Sequence, residues 1–425
     1  MRFLSTRGRA PVVGLAHAIT AGLAPDGGLY VPDALPKHAP ARGARLADTA
    51  QALLAPFFAG DALEPALAQL CAHAFAFEAP LVPLANENAS VLELFHGPTS
   101  AFKDYGARFL AAALSRLNEG AASPLTVLVA TSGDTGSAVG AAFHGLPNVR
   151  VAILYPDGRV SPRQAHQLGC FGGNVRAFRV AGSFDDCQRM VKASFADAAL
   201  RADVPLTSAN SISLGRLLPQ MAYYAHAALA PREAPLSFIV PTGNLGNAFA
   251  AILARALGVP IGDVVLAGNA NRVLPEFFAG GHYAPRASVA TIANAMDVGD
   301  PSNFERLRWL YPDERMLRAA FRAETVGDDE IRAAIRDGES RHGRTFDPHT
   351  ACAAVVLERL RAAGERRHFA LVATAHPAKF ETVVEPLVGH AVTVPPALAA
   401  MLERPAHAEP LAPDPGRLAR VLRDW

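Results

Sequence analysis

The pattern of apolar and polar positions divides the chain into two regimes. Over residues 1 to about 88 the apolar positions come in short, mixed stretches: 3–10 alternates loosely, 14–22 carries helical spacing, and Ala24-Pro25-Asp26-Gly27-Gly28 makes a turn before a short strand at 29–31. An Ala- and Leu-rich stretch at 52–75 reads as helix, with breaks expected near Pro56 and Pro65. From about residue 89 the pattern becomes apolar run, glycine-bearing turn, helix, repeated. Strands are predicted at 125–130, 149–155, 175–180, 238–240, 264–268 and 369–374. Several are continuous apolar runs rather than alternating ones, as parallel strands covered on both faces are. The expected fold is α/β with at least one doubly covered sheet. It divides into an N-terminal lobe (1–88), an α/β lobe (89–225) and a second α/β lobe (226–425). The last closes with a proline-rich tail from Pro395 that reads as a wrapped surface segment before a final helix at 417–425.

In such sheets ligands collect at the carboxyl ends of the strands, so the turns that follow them are where chemistry is sought. The first is Thr131-Ser132-Gly133-Asp134-Thr135-Gly136-Ser137, after the strand at 125–130. Its hydroxyls, glycines and backbone amides lie at a helix start, a ready site for a carboxylate, although Ser and Thr are also ordinary helix caps. The second is Pro241-Thr242-Gly243-Asn244-Leu245-Gly246-Asn247, which opens a helix at 248. Successive amides there converge with no side chain at Gly243 or Gly246, and a phosphate monoester fits that cradle. The loop is not G-x-G-x-x-G, and it lacks the lysine and Mg²⁺-binding hydroxyl of a nucleoside triphosphate loop. The third, Thr374-Ala375-His376-Pro377-Ala378-Lys379-Phe380, brings a hydroxyl, an imidazole and a lysine to the same sheet edge.

Composition changes the weight of that lysine and of one other. The only lysines are Lys37, Lys103, Lys192 and Lys379, among 40 Lys plus Arg. Each stands where this chain otherwise uses a guanidinium, and is a candidate for chemistry an arginine cannot do. Lys103 sits after a Gly97-Pro98 break, at the start of an amphipathic helix with Leu110, Leu114 and Leu117 behind it. A solvated first-turn lysine is the ordinary fate of such a residue. Here the positive end of the helix dipole and burial beside Phe102 and Tyr105 both disfavour the ammonium, freeing an amine for Schiff-base chemistry. A reactive amine, a carboxylate turn and a phosphate cradle together describe a pyridoxal phosphate site.

Charge and cysteines narrow the partners. The net charge of +1 comes without a basic block, which leaves a small molecule rather than nucleic acid as the expected partner. Cys71, Cys170, Cys187 and Cys352 show neither C-x-x-C pairing nor metal-ligand spacing, and no H-E-x-x-H occurs, so no metal is expected. No secretory signal pattern opens the chain and no apolar stretch approaches the roughly 18 residues of a membrane span. A cytoplasmic protein, monomer or homodimer, is the expectation.

Several motifs in order resemble threonine synthases of the longer bacterial and fungal kind. They are Ala18-Ile19-Thr20-Ala21-Gly22, Glu93-Leu94-Phe95-His96-Gly97-Pro98-Thr99 with Phe102-Lys103-Asp104, Ala130 through Gly136, Asn210-Ser211-Ile212, Asn294-Ala295-Met296-Asp297-Val298 and Thr374 through Phe380. The resemblance covers nearly the whole chain and implies pyridoxal phosphate fold type II, similar to the tryptophan synthase β-subunit. It further implies that Lys103 tethers the cofactor and removes the substrate's Cα proton, that Gly243, Asn244, Leu245, Gly246 and Asn247 hold the cofactor phosphate, and that Thr374 meets the pyridine nitrogen. Thr131, Ser132, Gly133, Asp134 and Thr135 would line the substrate side, with Asn210 and Ser211 near the substrate. The implied reaction is O-phospho-L-homoserine plus water to L-threonine and phosphate. Two departures from the usual pattern, Ala165-His166 after Ser161-Pro162-Arg163-Gln164 and Ser213 after Ile212, leave the group that takes the departing phosphate open, with Arg216 and Lys379 as candidates. The rival readings are a lyase that releases a 2-oxo acid and a silent binding protein of the same fold.

Overall fold

The structure, a computed structural model, describes residues 1–38, 40–85 and 87–425. Its frame is two mainly parallel sheets facing each other across a cleft. One, in order β12-β11-β10-β13-β5-β4, comprises β4 (Leu81–Pro83), β5 (Ala89–Glu93), β10 (Leu236–Pro241), β11 (Ile261–Gly268), β12 (Arg322–Thr325) and β13 (Phe369–Ala373). Only the β4–β5 pair is antiparallel. The other sheet, in order β14-β8-β7-β6-β9, is wholly parallel: β6 (Leu125–Ala130), β7 (Val149–Pro156), β8 (Val175–Val180), β9 (Leu206–Ser208) and β14 (Glu409–Leu411). Every residue of β5, β6, β10 and β13 is buried, as in parallel strands covered on both faces, and their mainly apolar sequences follow from that.

The N-terminal lobe carries a small antiparallel sheet of β1 (Arg2–Ser5), β2 (Val13–Gly14) and β3 (Tyr30–Pro32). Its helices pack on the frame. Leu46–Phe58 lies on the almost fully buried helix Leu214–Ala228, and Leu67–Ala74 on Lys103–Leu117. Pro56 does not break its helix, contrary to expectation; it sits in the last turn, and the helix ends two residues later. The Lys103–Leu117 and Leu214–Ala228 helices meet at Gly106, where an added Cβ would stand 2.7 Å from the Arg216 carbonyl oxygen.

Sheet membership cuts across the expected lobes. β5 lies within 89–225 yet is hydrogen-bonded to β13, so it belongs to the sheet that carries the Gly243 loop. The proline-rich tail is not merely a surface wrap either. It returns to the first α/β lobe, adds β14 beside β8, and buries Leu411, Leu418 and Leu422 against that sheet's core. A three-residue strand containing Pro410 has no period-2 signal to read, and an edge position is where a strand proline is tolerated.

Candidate active site

The cleft between the sheets has a volume of about 1720 Å³, and the carboxyl ends of their strands open into it. Lys103 is the first residue of its helix. The start of that helix is tied to the end of β13, the neighbour of β5 in the same sheet, since the Phe102 N–H donates to the Thr374 carbonyl at 2.9 Å and Ala101 bridges Ala375. Burial, with the neighbouring positive charges of Arg216 and Lys379, lowers the Lys103 amine to about 8 against the opposing pull of Asp134. Among the described residues it has no ion pair, and its Nζ lies 5.6 Å from the Phe102 ring centre. Inside the cleft the amine gives up its proton far more readily than an exposed lysine does.

The turn after β10 lines the same cleft. Leu245 adopts a left-handed backbone (φ 62°), which turns the chain into the helix Gly246–Ala256 and leaves the first N–H groups of that helix without intrahelical acceptors. Gly243 is required by close approach: a Cβ there would lie 2.7 Å from Met296 Cα. The loop is held from outside. Asn244 Nδ2 donates to Ser211 Oγ (2.6 Å), Asn244 Oδ1 accepts from the Ser302 N–H, and Asn303 Nδ2 donates to the Asn244 carbonyl at 2.9 Å. Asn247 Oδ1 accepts from Tyr223 and Tyr224, while its buried Nδ2 has no partner. Thr374 directly follows the neighbouring β13 and lines the same cleft. An amine, a cradle of free amide donors with one orphaned carboxamide N–H, and a hydroxyl at the next strand end fit pyridoxal phosphate.

The turn after β6 divides its labour. The Thr131 hydroxyl is consumed within the turn, accepting from the Gly133 and Gly136 N–H groups (both 3.0 Å) and donating to the Gly133 carbonyl. Gly133 has φ 137°, and a Cβ on it would meet Gln164 Nε2 at 2.7 Å. Ser132, Asp134 and Thr135 line the cleft. Asp134 Oδ1 is held by Lys379 Nζ at 2.9 Å and by Gln164 Nε2 at 3.0 Å. Burial alone would raise that carboxyl, but Lys379, Lys103 and His349 outweigh it and hold it well below the usual carboxylate range.

The two cations considered for the substrate phosphate part company. Lys379 is fully buried, spent on Asp134 and on the Thr99 carbonyl (2.7 Å), and does not line the cleft. As a phosphate ligand it is withdrawn. Arg216 does line the cleft; its Nη1 donates to the Ala209 carbonyl at 2.7 Å and its buried Nε has no partner. Nearby, Asn210 Oδ1 and the Ser213 hydroxyl are also unpartnered. Ser211 also lines the cleft, and its hydroxyl accepts from Asn244.

Two residues of the site escaped the sequence reading. His349 lines the cleft with Nε2 accepting the Ala295 N–H (3.2 Å), so its Nδ1–H donates to Asp347 Oδ1 at 2.8 Å. It follows an Asp-Pro helix start rather than a strand, so the strand-end rule passes over it. Arg306, fully buried, donates to the Tyr30 and Ile212 carbonyls and to Asn303 Oδ1. A lone arginine in the short helix Phe304–Leu310 gives no signal of that role. Among the described residues no cluster of His, Cys, Asp and Glu is suited to a metal ion.

Residues 78–375 match the family model for pyridoxal-phosphate dependent enzymes, residues 2–75 that for the threonine synthase N terminus, and residues 350–421 that for the threonine synthase C-terminal region. The chain is 38% identical to threonine synthase of Serratia marcescens and 37% identical to that of Escherichia coli, in each case over 99% of both chains. Its fold is similar to the Escherichia coli threonine synthase structure (TM-score 0.92, 35% identity, 100% of both chains). It is also similar to pyridoxal-phosphate-bound threonine synthase from Brucella melitensis (TM-score 0.90, 36% identity, 100% of this chain and 99% of that one).

Proposed function

The chain belongs to the threonine synthase family, a pyridoxal-phosphate-dependent lyase of fold type II, and from that premise we infer how its residues divide the work. The reaction converts O-phospho-L-homoserine and water to L-threonine and phosphate. Bound pyridoxal phosphate supplies an electron sink that acidifies the proton on the substrate's α-carbon. The observation that carries the assignment of roles is the placement of Lys103, an amine lowered to about 8, in one cleft with the free amides of the Gly243–Asn247 turn.

In this reading Lys103 tethers the cofactor and, once displaced by substrate, is the base at the α-carbon; an amine with its proton affinity near working pH suits both giving and taking a proton. Gly243, Asn244, Leu245, Gly246 and Asn247 hold the cofactor phosphate, and the Thr374 hydroxyl serves the ring nitrogen. The substrate carboxylate lies at the helix start after β6, against the Ser132 and Thr135 hydroxyls and the amides of Asp134 and Thr135, while Gly133, its N–H held by Thr131, allows the turn. Thr131 acts there by shaping the turn. The departing phosphate is taken by Arg216 with Asn210 and Ser211, since a buried guanidinium with an unpartnered N–H at the cleft wall is what a phosphate oxygen satisfies.

Incubation of the protein with O-phospho-L-homoserine tests the activity. Threonine and phosphate released in equal amounts is the expected result; 2-oxobutyrate without threonine would replace it with the eliminating lyase.

A further inference from the structure

Lys379 does not line the cleft, yet its contacts tie it to the residues that do. It follows β13 of one sheet, while its partner Asp134 follows β6 of the other, so their 2.9 Å ion pair crosses between the sheets beneath the cleft. Both side chains are buried, at 0% and 4% exposure. The pair is the middle of a continuous chain of bonds, buried but for its part-buried last link at Ser161. Lys379 Nζ also donates to the Thr99 carbonyl, and Thr99 in turn donates its N–H (2.8 Å) and hydroxyl (2.7 Å) to the two oxygens of Asp104, the neighbour of Lys103. On the other side Gln164 donates to Asp134, and Ser161, which caps the Gln164 helix, donates its hydroxyl to the Lys379 carbonyl at 2.8 Å. Three helix starts are thereby joined: that of Lys103, that of the turn at 131–135, and that of Pro162–Gly169.

We propose that Lys379 is a positioning residue of this reaction: its ammonium holds the turn at 131–135 at a fixed place relative to Lys103, across the two sheets. The choice of lysine in an arginine-rich chain follows. The space between Asp134 Oδ1 and the Thr99 carbonyl admits a compact ammonium at 0% exposure, whereas a planar guanidinium is larger and fans its donors. The inference rests on the reading of 131–135 as the substrate-carboxylate turn.

The test uses the holoenzyme and the variants Lys379→Met, Asp134→Asn and their double. Lys379→Met leaves a buried carboxylate unpaired, so its melting temperature falls; the double, with both charges gone, regains that stability. A positioning role shows in kinetics that stability does not track. In the double variant KM for O-phospho-L-homoserine stays raised at least about tenfold, the size of one well-placed charged hydrogen bond, while kcat changes less than about threefold. Direct contact between Asp134 and the substrate carboxylate would work in the opposite sense, because an amide in place of the carboxylate removes repulsion and lowers KM. A double variant that does not fold, or whose KM lies within twofold of wild type, overturns the proposal. A wild-type enzyme that releases no threonine from O-phospho-L-homoserine overturns the underlying reading instead.

Discussion

At the scale of single residues, the amine of Lys103 is the quantity that proton concentration can report. Its ordinary value near 10.5 is lowered to about 8, first by burial and then by Arg216 and Lys379. Below about 8 the group is an ammonium and cannot attack an aldehyde; above it the free amine predominates. The rate at which apoenzyme takes up pyridoxal phosphate is therefore expected to rise with pH, with half its plateau near 8; a rate flat from pH 6 to 10 would contradict the assignment. Lys103→Ala should hold no cofactor through a reducible bond and lose about 10³-fold or more in activity, as removal of a positioned base does. Borohydride reduction followed by mass measurement decides. Arg216→Leu should keep the cofactor chromophore and lower kcat/KM for O-phospho-L-homoserine by about 10- to 100-fold, the loss of one or two hydrogen bonds to a charged group. The rarity of lysine made Lys103 and Lys379 legible, but not their opposite fates. Those depend on Asp134, whose placement beside one lysine and near the other arises from two sheets meeting, a relation with no local sequence trace.

At the scale of elements, the turn after β10 makes a sharper prediction. Gly243 lies against Met296 so closely that a Cβ would touch backbone atoms, with the carbonyl oxygen at 2.8 Å, and backbone cannot move aside as a flexible side chain can. Overpacking of this kind costs about 1–3 kcal/mol, so Gly243→Ala should weaken cofactor affinity by roughly 5- to 150-fold with little change in helix content. Titration of apoenzyme with pyridoxal phosphate measures it, and an unchanged affinity would remove Gly243 from the cradle. Such turns were readable because a buried parallel strand is a dense apolar run and the glycines after it stand out; β6 and β8 have the predicted bounds, and β10 extends the predicted core on both sides. β14 and the sheet membership of β5 were not, since a strand's neighbours are chosen by packing across hundreds of residues. His349 lay outside the rule altogether, because it comes to the cleft from a helix start.

At the scale of the whole molecule, Arg306 joins parts that the chain order keeps apart. Its Nε and Nη2 donate to the carbonyl of Tyr30 in β3 of the N-terminal lobe, Nη2 also to that of Ile212, and Nη1 to Asn303 Oδ1 at 2.7 Å. Asn303 then holds the Asn244 carbonyl of the phosphate turn. Arg306→Met would fill much of the volume but leave three buried acceptors without donors, at about 1–3 kcal/mol each, partly offset by relief from burying a charge. A net loss of about 2–4 kcal/mol is expected in urea unfolding. Stability alone would not alter cofactor affinity measured on protein that is still fully folded. If the N-terminal lobe braces the phosphate turn through Arg306 and Asn303, that affinity falls as well, and Asn303→Ala lowers it without the full stability loss. An Arg306→Met protein that is destabilised yet binds pyridoxal phosphate as tightly as wild type would confine the lobe to a structural part and leave Ser211 and Ser302 as the braces of Asn244.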